Sequence, residues 1–178
     1  MNSATPAAGP ALPGPNETRL ERATPADAAE ILALQRLAYR SEAEFYGDYS
    51  IEPLTQTLDA VIRQFEDHVI LKAVASGAII GSVRGRLAEG VCHVGKLIVH
   101  PDHQNQGLGR SLMTAIESCF PAATRFELFT GSRSVKNLSL YQKLGYVAGE
   151  TVAVSEKLGL THLVKPCPPG GQRPLSRW

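Results

Sequence analysis

The 178-residue sequence has little of several features that mark specialised classes of protein. Lys and Arg number 18 against 17 for Asp and Glu, and this net charge of +1 argues against nucleic-acid binding driven by bulk charge. Only three residues are cysteine; they form no metal-binding pair and leave an odd thiol in any disulfide scheme. We therefore expect no metal and no disulfide framework, as is typical of a reducing compartment.

Long apolar runs are also missing. No stretch approaches the roughly 18 apolar residues of a membrane helix. Residues 1–17 carry no Lys or Arg and no apolar run of signal-peptide length. We therefore expect a cytoplasmic protein with no membrane or nucleic-acid partner. What is present is an ordinary globular composition, with 43% hydrophobic and 20% charged residues, which suffices to bury a core.

Proline separates the two ends of the chain from its middle. Residues 1–17 and 166–178 together hold eight of the 12 prolines, at positions that neither a helix nor a sheet would accept. We predict that both ends are disordered tails and that residues 18–165 form the domain. That length suits a single domain.

Between these tails, the hydrophobic pattern predicts elements in the order β-α-α-β-β-β-α-β-α-β-β. The strands are predicted at residues 18–23, 68–75, 78–87, 91–100, 125–130, 146–154 and 160–165. The helices are predicted at residues 24–39, 54–65, 107–120 and 134–144. This order indicates an α/β (α+β) domain whose central sheet is mixed and mostly antiparallel, with helices on both faces.

The segment from Lys96 to Arg110 carries the strongest chemical signal. A strand of buried type stops at Pro101, a short loop follows, and the next helix begins around Gly107 and Gly109. A helix N-terminus offers unpaired N–H groups and the positive end of the dipole, and glycine lets a ligand approach the backbone. Arg110 adds a formal charge. The segment therefore predicts a phosphate or pyrophosphate site.

Two common phosphate-binding motifs do not fit this segment. Gln104–Gly109 reads QNQGLG and fails the dinucleotide fingerprint GxGxxG. Gly90–Lys96 matches the GxxxxGK of a P-loop, but Leu97 stands where that motif needs Ser or Thr for Mg²⁺. The residues between are strand-like, and Pro101 prevents a helix directly after Lys96. Both motifs are therefore rejected.

A third motif does fit. Gln104-x-x-Gly107-x-Gly109 resembles the Q/R-x-x-G-x-G/A motif of the GNAT family of N-acetyltransferases. The segment 138–146, LSLYQKLGY, is similar to the family's LYxKLGF/Y segment, and the strand before the motif ends in LIVHP, as family members often do. The predicted order of elements also matches the family fold along about residues 18–165. The resemblance implies a single GNAT-type domain.

The resemblance implies a transferase that uses acetyl-CoA and acetylates a primary amine without an acyl-enzyme. The pyrophosphate is then expected on residues 104–110, and the pantetheine along residues 97–99, pairing like an added strand. A backbone N–H near Val99 is expected to polarise the thioester carbonyl. The residues expected to bind the cofactor are Leu97, Ile98, Val99, Gln104, Asn105, Gln106, Gly107, Leu108, Gly109, Arg110 and Asn137.

The resemblance also implies catalytic residues. Tyr141 occupies the family's general-acid position and is expected to protonate the leaving thiolate. The attacking amine must lose a proton, and family members often place a carboxylate on the fourth strand for this purpose. Counting back from the glycine motif, that position holds His93, whose ordinary pKa suits a base. Glu127 on the next strand is the other candidate.

The acceptor site of the family is usually built from the first two helices and their connection. Here residues 41–52 hold four acids, three aromatics and no basic residue. Such a rim suits a cationic amine, and we expect Glu44, Tyr46 and Tyr49 to contact it. A solvated helix end is the alternative interpretation. The acceptor is expected to be an amine of a small molecule, a peptide or a protein.

Three alternatives stay open at this stage. The chain is expected to be an acetyltransferase, but a transferase of another acyl-CoA has the same motifs. A catalytically silent domain that binds CoA or only pairs with a partner is the third possibility. Homodimers are common in this fold, so a homodimer is also possible, although nothing in the sequence identifies an interface.

Overall fold

The computed structural model describes residues 18–167. Its strands are Arg19–Arg22 (β1), Val69–Ala75 (β2), Ala78–Ala88 (β3), Val91–Val99 (β4), Arg125–Gly131 (β5), Val147–Ala153 (β6) and Gly159–Pro166 (β7). They form one sheet in the order β1-β2-β3-β4-β5-β7-β6. Only β4 and β5 are parallel among the neighbouring pairs of these strands. The predicted mixed, mostly antiparallel sheet is confirmed.

Helices cover both faces of this sheet, as predicted. They are Ala28–Tyr46 (α1), Glu52–Thr55 (α2), Leu58–Gln64 (α3), Leu108–Ser118 (α4) and Val135–Lys143 (α5), with short 3₁₀ turns at Pro25–Asp27 and Pro101–His103. Leu71 on β2 packs in the core cluster that contains Leu112 and Ile116 of α4. Its neighbour Ile70 packs with Ile31 of α1. Because adjacent strand residues point to opposite faces, α1 and α4 lie on opposite sides of the sheet.

Helix α1 is longer than the sequence pattern predicted. It continues past the expected end near Tyr39 to Tyr46, where Gly47 takes the left-handed conformation of a helix C-cap at φ 62°. No Gly or Pro interrupts the chain between Tyr39 and Gly47. The extension places Tyr39, Glu42 and Tyr46 on one face of the helix, since residues three and four apart are neighbours.

The predicted helix at residues 54–65 is instead two short helices, α2 and α3. Gln56 has an extended backbone at ψ 135° and ends the first. Thr57 then caps the second, where its hydroxyl accepts a hydrogen bond of 3.2 Å from the Ala60 N–H. Leu58 and Ile62 are each 40% exposed, so their helical spacing does not reflect burial in the core.

The domain extends slightly past its predicted end at residue 165. Pro166 still pairs with Arg125 at the end of β7, and the backbone N–H of Cys167 donates to the Thr124 carbonyl at 2.8 Å. The predicted disordered tails, residues 1–17 and the remainder of 166–178, lie outside the described residues.

Candidate active site

Strands β4 and β5 form a short parallel pair and then separate. Residues 91–93 pair with residues 125–127, and the pairing stops there within the described sheet. Yet β4 continues to Val99 and β5 to Gly131. The backbone edge of residues 94–99 therefore faces a cleft between the two strands. An extended ligand can pair with such an edge in the way that an added strand does.

A bulge at Lys96 shapes the β4 side of this cleft. Lys96 has φ 51°, and the register between β3 and β4 shifts in the same region. After it, Leu97 and Val99 pack against the core cluster on the α4 face, and Ile98 packs in the cluster on the α1 face. The three residues predicted to line the pantetheine thus place their side chains in the two cores.

The loop that follows β4 ends in left-handed backbone. Asn105 has φ 62° and Gly107 has φ 84°. A Cβ added to Gly107 would meet nothing within 4 Å, so the space in front of it is open. Helix α4 begins directly afterwards, and the N–H groups of Leu108, Gly109 and Arg110 in its first turn have no intrahelical acceptor. This arrangement fits the oxygens of a phosphate or pyrophosphate.

The Gln104 side chain connects this loop to two other elements. Its Nε2 donates to the Val99 carbonyl at 3.3 Å, and its Oε1 accepts from Lys136 Nζ at 2.8 Å. Gln106 Nε2 donates to the Asp102 carbonyl at 3.2 Å and closes the loop on itself. Lys136 thereby brings a second cation near the glycine turn. The sequence analysis missed it, because only its position in the first turn of α5 distinguishes it.

Tyr141 lies on the buried face of α5. It is 7% exposed, and its ring meets that of Tyr146 edge-on at 5.9 Å between centroids. Burial raises the pKa of Tyr141 above its ordinary value of 10.0, and the nearby Glu42 carboxylate raises it further. The hydroxyl therefore keeps its proton at neutral pH, as a general acid must.

A group of polar side chains lies between α1, β4 and α5, around Tyr141. Lys96 Nζ is 5.7 Å from the centroid of the Tyr39 ring and forms an ion pair with Glu52 of α2. Burial lowers the pKa of Lys96. Burial also raises the pKa of Glu42, against the attraction of Lys96. The cleft thus brings the protonated phenol of Tyr141 and the partly buried carboxylate of Glu42 together.

The two candidate bases lie at the closed end of the β4–β5 pair. His93 is exposed and sits opposite Glu127 in the parallel register. Glu127 Oε1 accepts from Arg125 Nε at 2.5 Å, and its Oε2 is 3.2 Å from His162 Nε2. The hydrogen bond from Arg125, aided by His162, lowers the pKa of Glu127. A carboxylate so engaged is a weaker base than an ordinary one.

The three residues predicted to contact the acceptor have different surroundings. Tyr46 is buried, and its hydroxyl accepts a hydrogen bond of 3.0 Å from the Arg133 backbone N–H. The Arg133 guanidinium lies 4.9 Å from the centroid of the Phe45 ring. Glu44 and Tyr49 are exposed on the outer side of this region. Of the three, the fold brings only Tyr46 to the end of β5.

Asn137 links α5 to the end of β5. Its Nδ2 donates to Thr130 Oγ1 at 3.4 Å. This contact helps to fix the helix that carries Tyr141 beside the cleft. Over residues 18–167, we find no group of three or more His, Cys, Asp or Glu that could hold a metal. In the same range no helix is long and apolar enough to cross a membrane.

Comparison with known proteins assigns the family. A model described as the acetyltransferase (GNAT) family matches residues 32–146. This range contains the cleft, the glycine turn and Tyr141. The chain belongs to the GNAT acetyltransferase family. The family resemblance and the fold class predicted from the motifs are thereby confirmed.

One curated relative of this GNAT chain is the UPF0157 protein YqkA from Bacillus subtilis (strain 168). The two are 28% identical over 134 residues. The match covers 75% of this chain but only 38% of YqkA. The match therefore spans well under half the length of that relative.

Solved structures share the fold at low sequence identity. The PaiA N-acetyltransferase from Thermoplasma acidophilum, in complex with coenzyme A, has a TM-score of 0.68 at 14% identity, with 85% of this chain and 99% of that chain covered. YncA from Salmonella typhimurium, with its cofactor acetyl-CoA, gives 0.65 at 20% identity over 84% and 94% of the chains. The ribosomal-protein-S18-alanine N-acetyltransferase from Escherichia coli gives 0.64 at 15%, over 84% and 94%.

Proposed function

We propose that this chain transfers the acetyl group of acetyl-CoA directly to a primary amine of a small molecule, a peptide or a protein. The observation that carries the proposal is the cleft between β4 and β5, which extends from the glycine turn at Gly107 to the buried Tyr141. One end of the cleft is suited to an anionic group and the other to proton transfer. The solved neighbours that contain CoA or acetyl-CoA support this choice of cosubstrate.

The chain offers suitable partners for the pyrophosphate and the pantetheine of a CoA molecule. The first turn of α4 provides N–H donors for the pyrophosphate, and Lys136 and Arg110 add positive charge close by. The unpaired β4 edge at residues 94–99 provides donors and acceptors for the amides of pantetheine. Acetyl-CoA supplies the activated acetyl group and a thiol leaving group.

Tyr141 supplies the proton that the departing sulfur requires. Its pKa is raised, chiefly by burial, so the hydroxyl is fully protonated at neutral pH and is available to protonate the sulfur as the carbon–sulfur bond breaks. Its position on α5 is held by Asn137, which reaches the end of β5. General-acid catalysis of this kind contributes about 10²- to 10⁴-fold to a rate.

Direct transfer is favoured over an acyl-enzyme by the state of the cysteine on β4, one of the two strands that line the cleft. Cys92 on β4 is fully buried, and burial raises the pKa of its thiol to about 12. The thiolate, rather than the thiol, is the nucleophile in thioester chemistry. A thiol held protonated in the core does not form an acyl-enzyme.

The proposal is tested with Tyr141→Phe, which keeps the ring in the core and removes only the hydroxyl. Turnover is followed as release of CoA thiol from acetyl-CoA in the presence of a panel of amines. We expect kcat to fall by about 10²-fold or more, because the thiolate leaves without an acid. The acetyl-CoA affinity of the variant, measured by calorimetry, is expected to match that of the wild type.

Two results would contradict the proposal. Unchanged turnover by Tyr141→Phe would remove the acid from the mechanism. A folded wild-type protein that binds acetyl-CoA but acetylates no amine would favour the catalytically silent domain instead. A higher kcat/KM with propionyl-CoA or succinyl-CoA than with acetyl-CoA would show that the chain transfers that acyl group instead of acetyl.

A further inference from the structure

The carboxylate of Glu42 lies against the open end of β5. A Cβ added to Gly131, the last residue of β5, would be 2.8 Å from Glu42 Oε1 and 2.6 Å from the Tyr46 hydroxyl. Gly131 stands on the β5 side of the cleft, beyond the last residue that pairs with β4. The contact therefore places the Glu42 carboxylate on the wall of the cleft, where an acceptor amine would approach.

The surroundings of Glu42 suit a group that accepts a proton. The titratable side chains that face it come from its own helix, from β4 and from α5: Tyr39, Tyr46, Lys96 and Tyr141. Lys96 is itself paired with Glu52, so its charge is shared. Burial raises the pKa of Glu42, which makes its carboxylate a stronger base than an exposed one.

Glu42 also differs from the two bases that the sequence suggested. Within residues 18–167, Glu42 is the charged group that raises the pKa of Tyr141, so base and acid share one site. His93 and Glu127 sit side by side where the strands are still paired, and Glu127 is already occupied by Arg125 and His162.

We propose that Glu42 is the general base of the acetyl transfer, an inference that rests on the proposed function. The Glu42 carboxylate takes a proton from the ammonium form of the acceptor, and the neutral amine nitrogen then bonds to the acetyl carbon. The carbon–sulfur bond breaks, and the sulfur takes the proton of the Tyr141 hydroxyl. The surplus proton of the new amide nitrogen restores that hydroxyl, and Glu42 releases its own proton to solvent. The products are an N-acetyl amide and CoA thiol.

The test compares two amines of similar shape and different basicity. Ethylamine is almost wholly protonated at neutral pH and needs a base before it can attack. The fluorines of 2,2,2-trifluoroethylamine withdraw electrons and leave most of it unprotonated. Wild type, Glu42→Gln and Glu42→Asp are assayed with both amines by CoA thiol release, each rate corrected for the reaction without enzyme. Glu66→Gln, which removes an exposed acid outside the cleft, is the matched control.

We expect Glu42→Gln to lower kcat/KM for ethylamine by about 10²-fold and for trifluoroethylamine by less than about threefold. The ethylamine rate of the variant should recover as the pH rises, because the free amine becomes more abundant. Glu42→Asp, which keeps a carboxylate, should fall between the wild type and Glu42→Gln. Glu66→Gln should behave as the wild type does.

The outcomes separate this inference from the proposed function. No loss in Glu42→Gln, or an equal loss for both amines, would overturn the role of Glu42 while leaving the acetyltransferase intact. A wild-type protein that acetylates neither these two amines nor any member of the amine panel would contradict the proposed function, and the Glu42 assignment would fall with it. Thermal unfolding of each variant shows whether a loss comes from misfolding, and a fully folded Glu42→Asp keeps the comparison decisive.

Discussion

The hydroxyl of Tyr46, at the end of α1, accepts a hydrogen bond of 3.0 Å from the backbone N–H of Arg133. This single contact joins the helix on one face of the sheet to the loop that leads from β5 into α5. Both sides of the cleft are thereby held together: α1 carries Glu42, and α5 carries Tyr141. The site depends on this link because β4 and β5 do not pair at that end.

Replacing Tyr46 with Phe removes this link without changing the ring. The Arg133 N–H then lacks its acceptor, and the net value of one such hydrogen bond is about 1 kcal/mol. We expect the free energy of unfolding, measured with urea, to fall by that amount. Tyr49→Phe is the control, because its ring is 61% exposed, and it should leave the urea midpoint in place. An unchanged urea midpoint for Tyr46→Phe would show that water accepts the hydrogen bond of the Arg133 N–H in place of the hydroxyl.

Gly131→Ala tests how tightly α1 packs against β5. The added methyl group would be 2.6 Å from the Tyr46 hydroxyl and 2.8 Å from Glu42 Oε1, closer than a Cβ comes to such atoms, so these side chains must shift. Overpacking of this kind costs about 1–3 kcal/mol, and turnover should fall as Glu42 shifts. Gly149→Ala on β6 is the control, since its nearest contact is the His162 carbonyl at 3.6 Å. Equal urea midpoints for the two variants would contradict this packing.

Glu127 gives stability that depends on pH. The Arg125 hydrogen bond lowers its pKa in the folded protein below the ordinary value of 4.5. A carboxyl with a depressed folded-state pKa stabilises the fold at pH above its unfolded value, and that contribution is lost as the pH falls through the folded value. Glu127→Gln should therefore be less stable than the wild type at neutral pH and equal to it in strong acid. Urea unfolding of both proteins at several pH values measures this. A stability difference that stays constant from neutral pH to acid would contradict the prediction.

Much of the fold followed from local signals in the sequence. The helix starts with Thr24 and Pro25, the hairpin turns with Gly77 and Gly90, and the alternation of apolar residues placed the strands to within a few residues. The parallel β4–β5 contact lay beyond such signals, since it joins residues far apart in the chain. The sequence predicted a mixed sheet but not which two strands run parallel.

Some residues of the candidate site could be predicted from the sequence and others could not, for a physical reason. Tyr141 and the residues predicted to bind phosphate lie in short contiguous motifs, so the sequence alone could suggest them, and their roles stay predictions. The placement of Glu42 in the site depends on where α1 ends, and the sequence pattern predicted that end near Tyr39. The spacing of Tyr39, Glu42 and Tyr46, three and four residues apart, was the signal that could have revealed the buried face. The roles of His93, Glu127, Glu44 and Tyr49 stay predictions.

Cys92 should resist thiol reagents in the folded protein. Burial raises its pKa to about 12, and the thiolate is the form that reacts. Mass spectrometry after brief iodoacetamide treatment at neutral pH should find Cys167, which is partly exposed, labelled before Cys92. Both should label at similar rates in urea. Rapid labelling of Cys92 in the native protein would show that the core around β4 opens.

Binding of acetyl-CoA at the glycine turn is the central claim, and thermal unfolding tests it most directly. At about 100 times its Kd, acetyl-CoA should stabilise the wild type by about 2.7 kcal/mol, a rise in Tm of roughly 5–10 °C. Gly107→Glu places a negative side chain in the open space before the turn and should abolish that rise. Gly90, at the opposite end of β4, has a similar positive φ of 79°, so Gly90→Glu introduces the same backbone strain. This variant should keep the rise in Tm. No rise for the wild type, or a full rise for Gly107→Glu, would contradict the account.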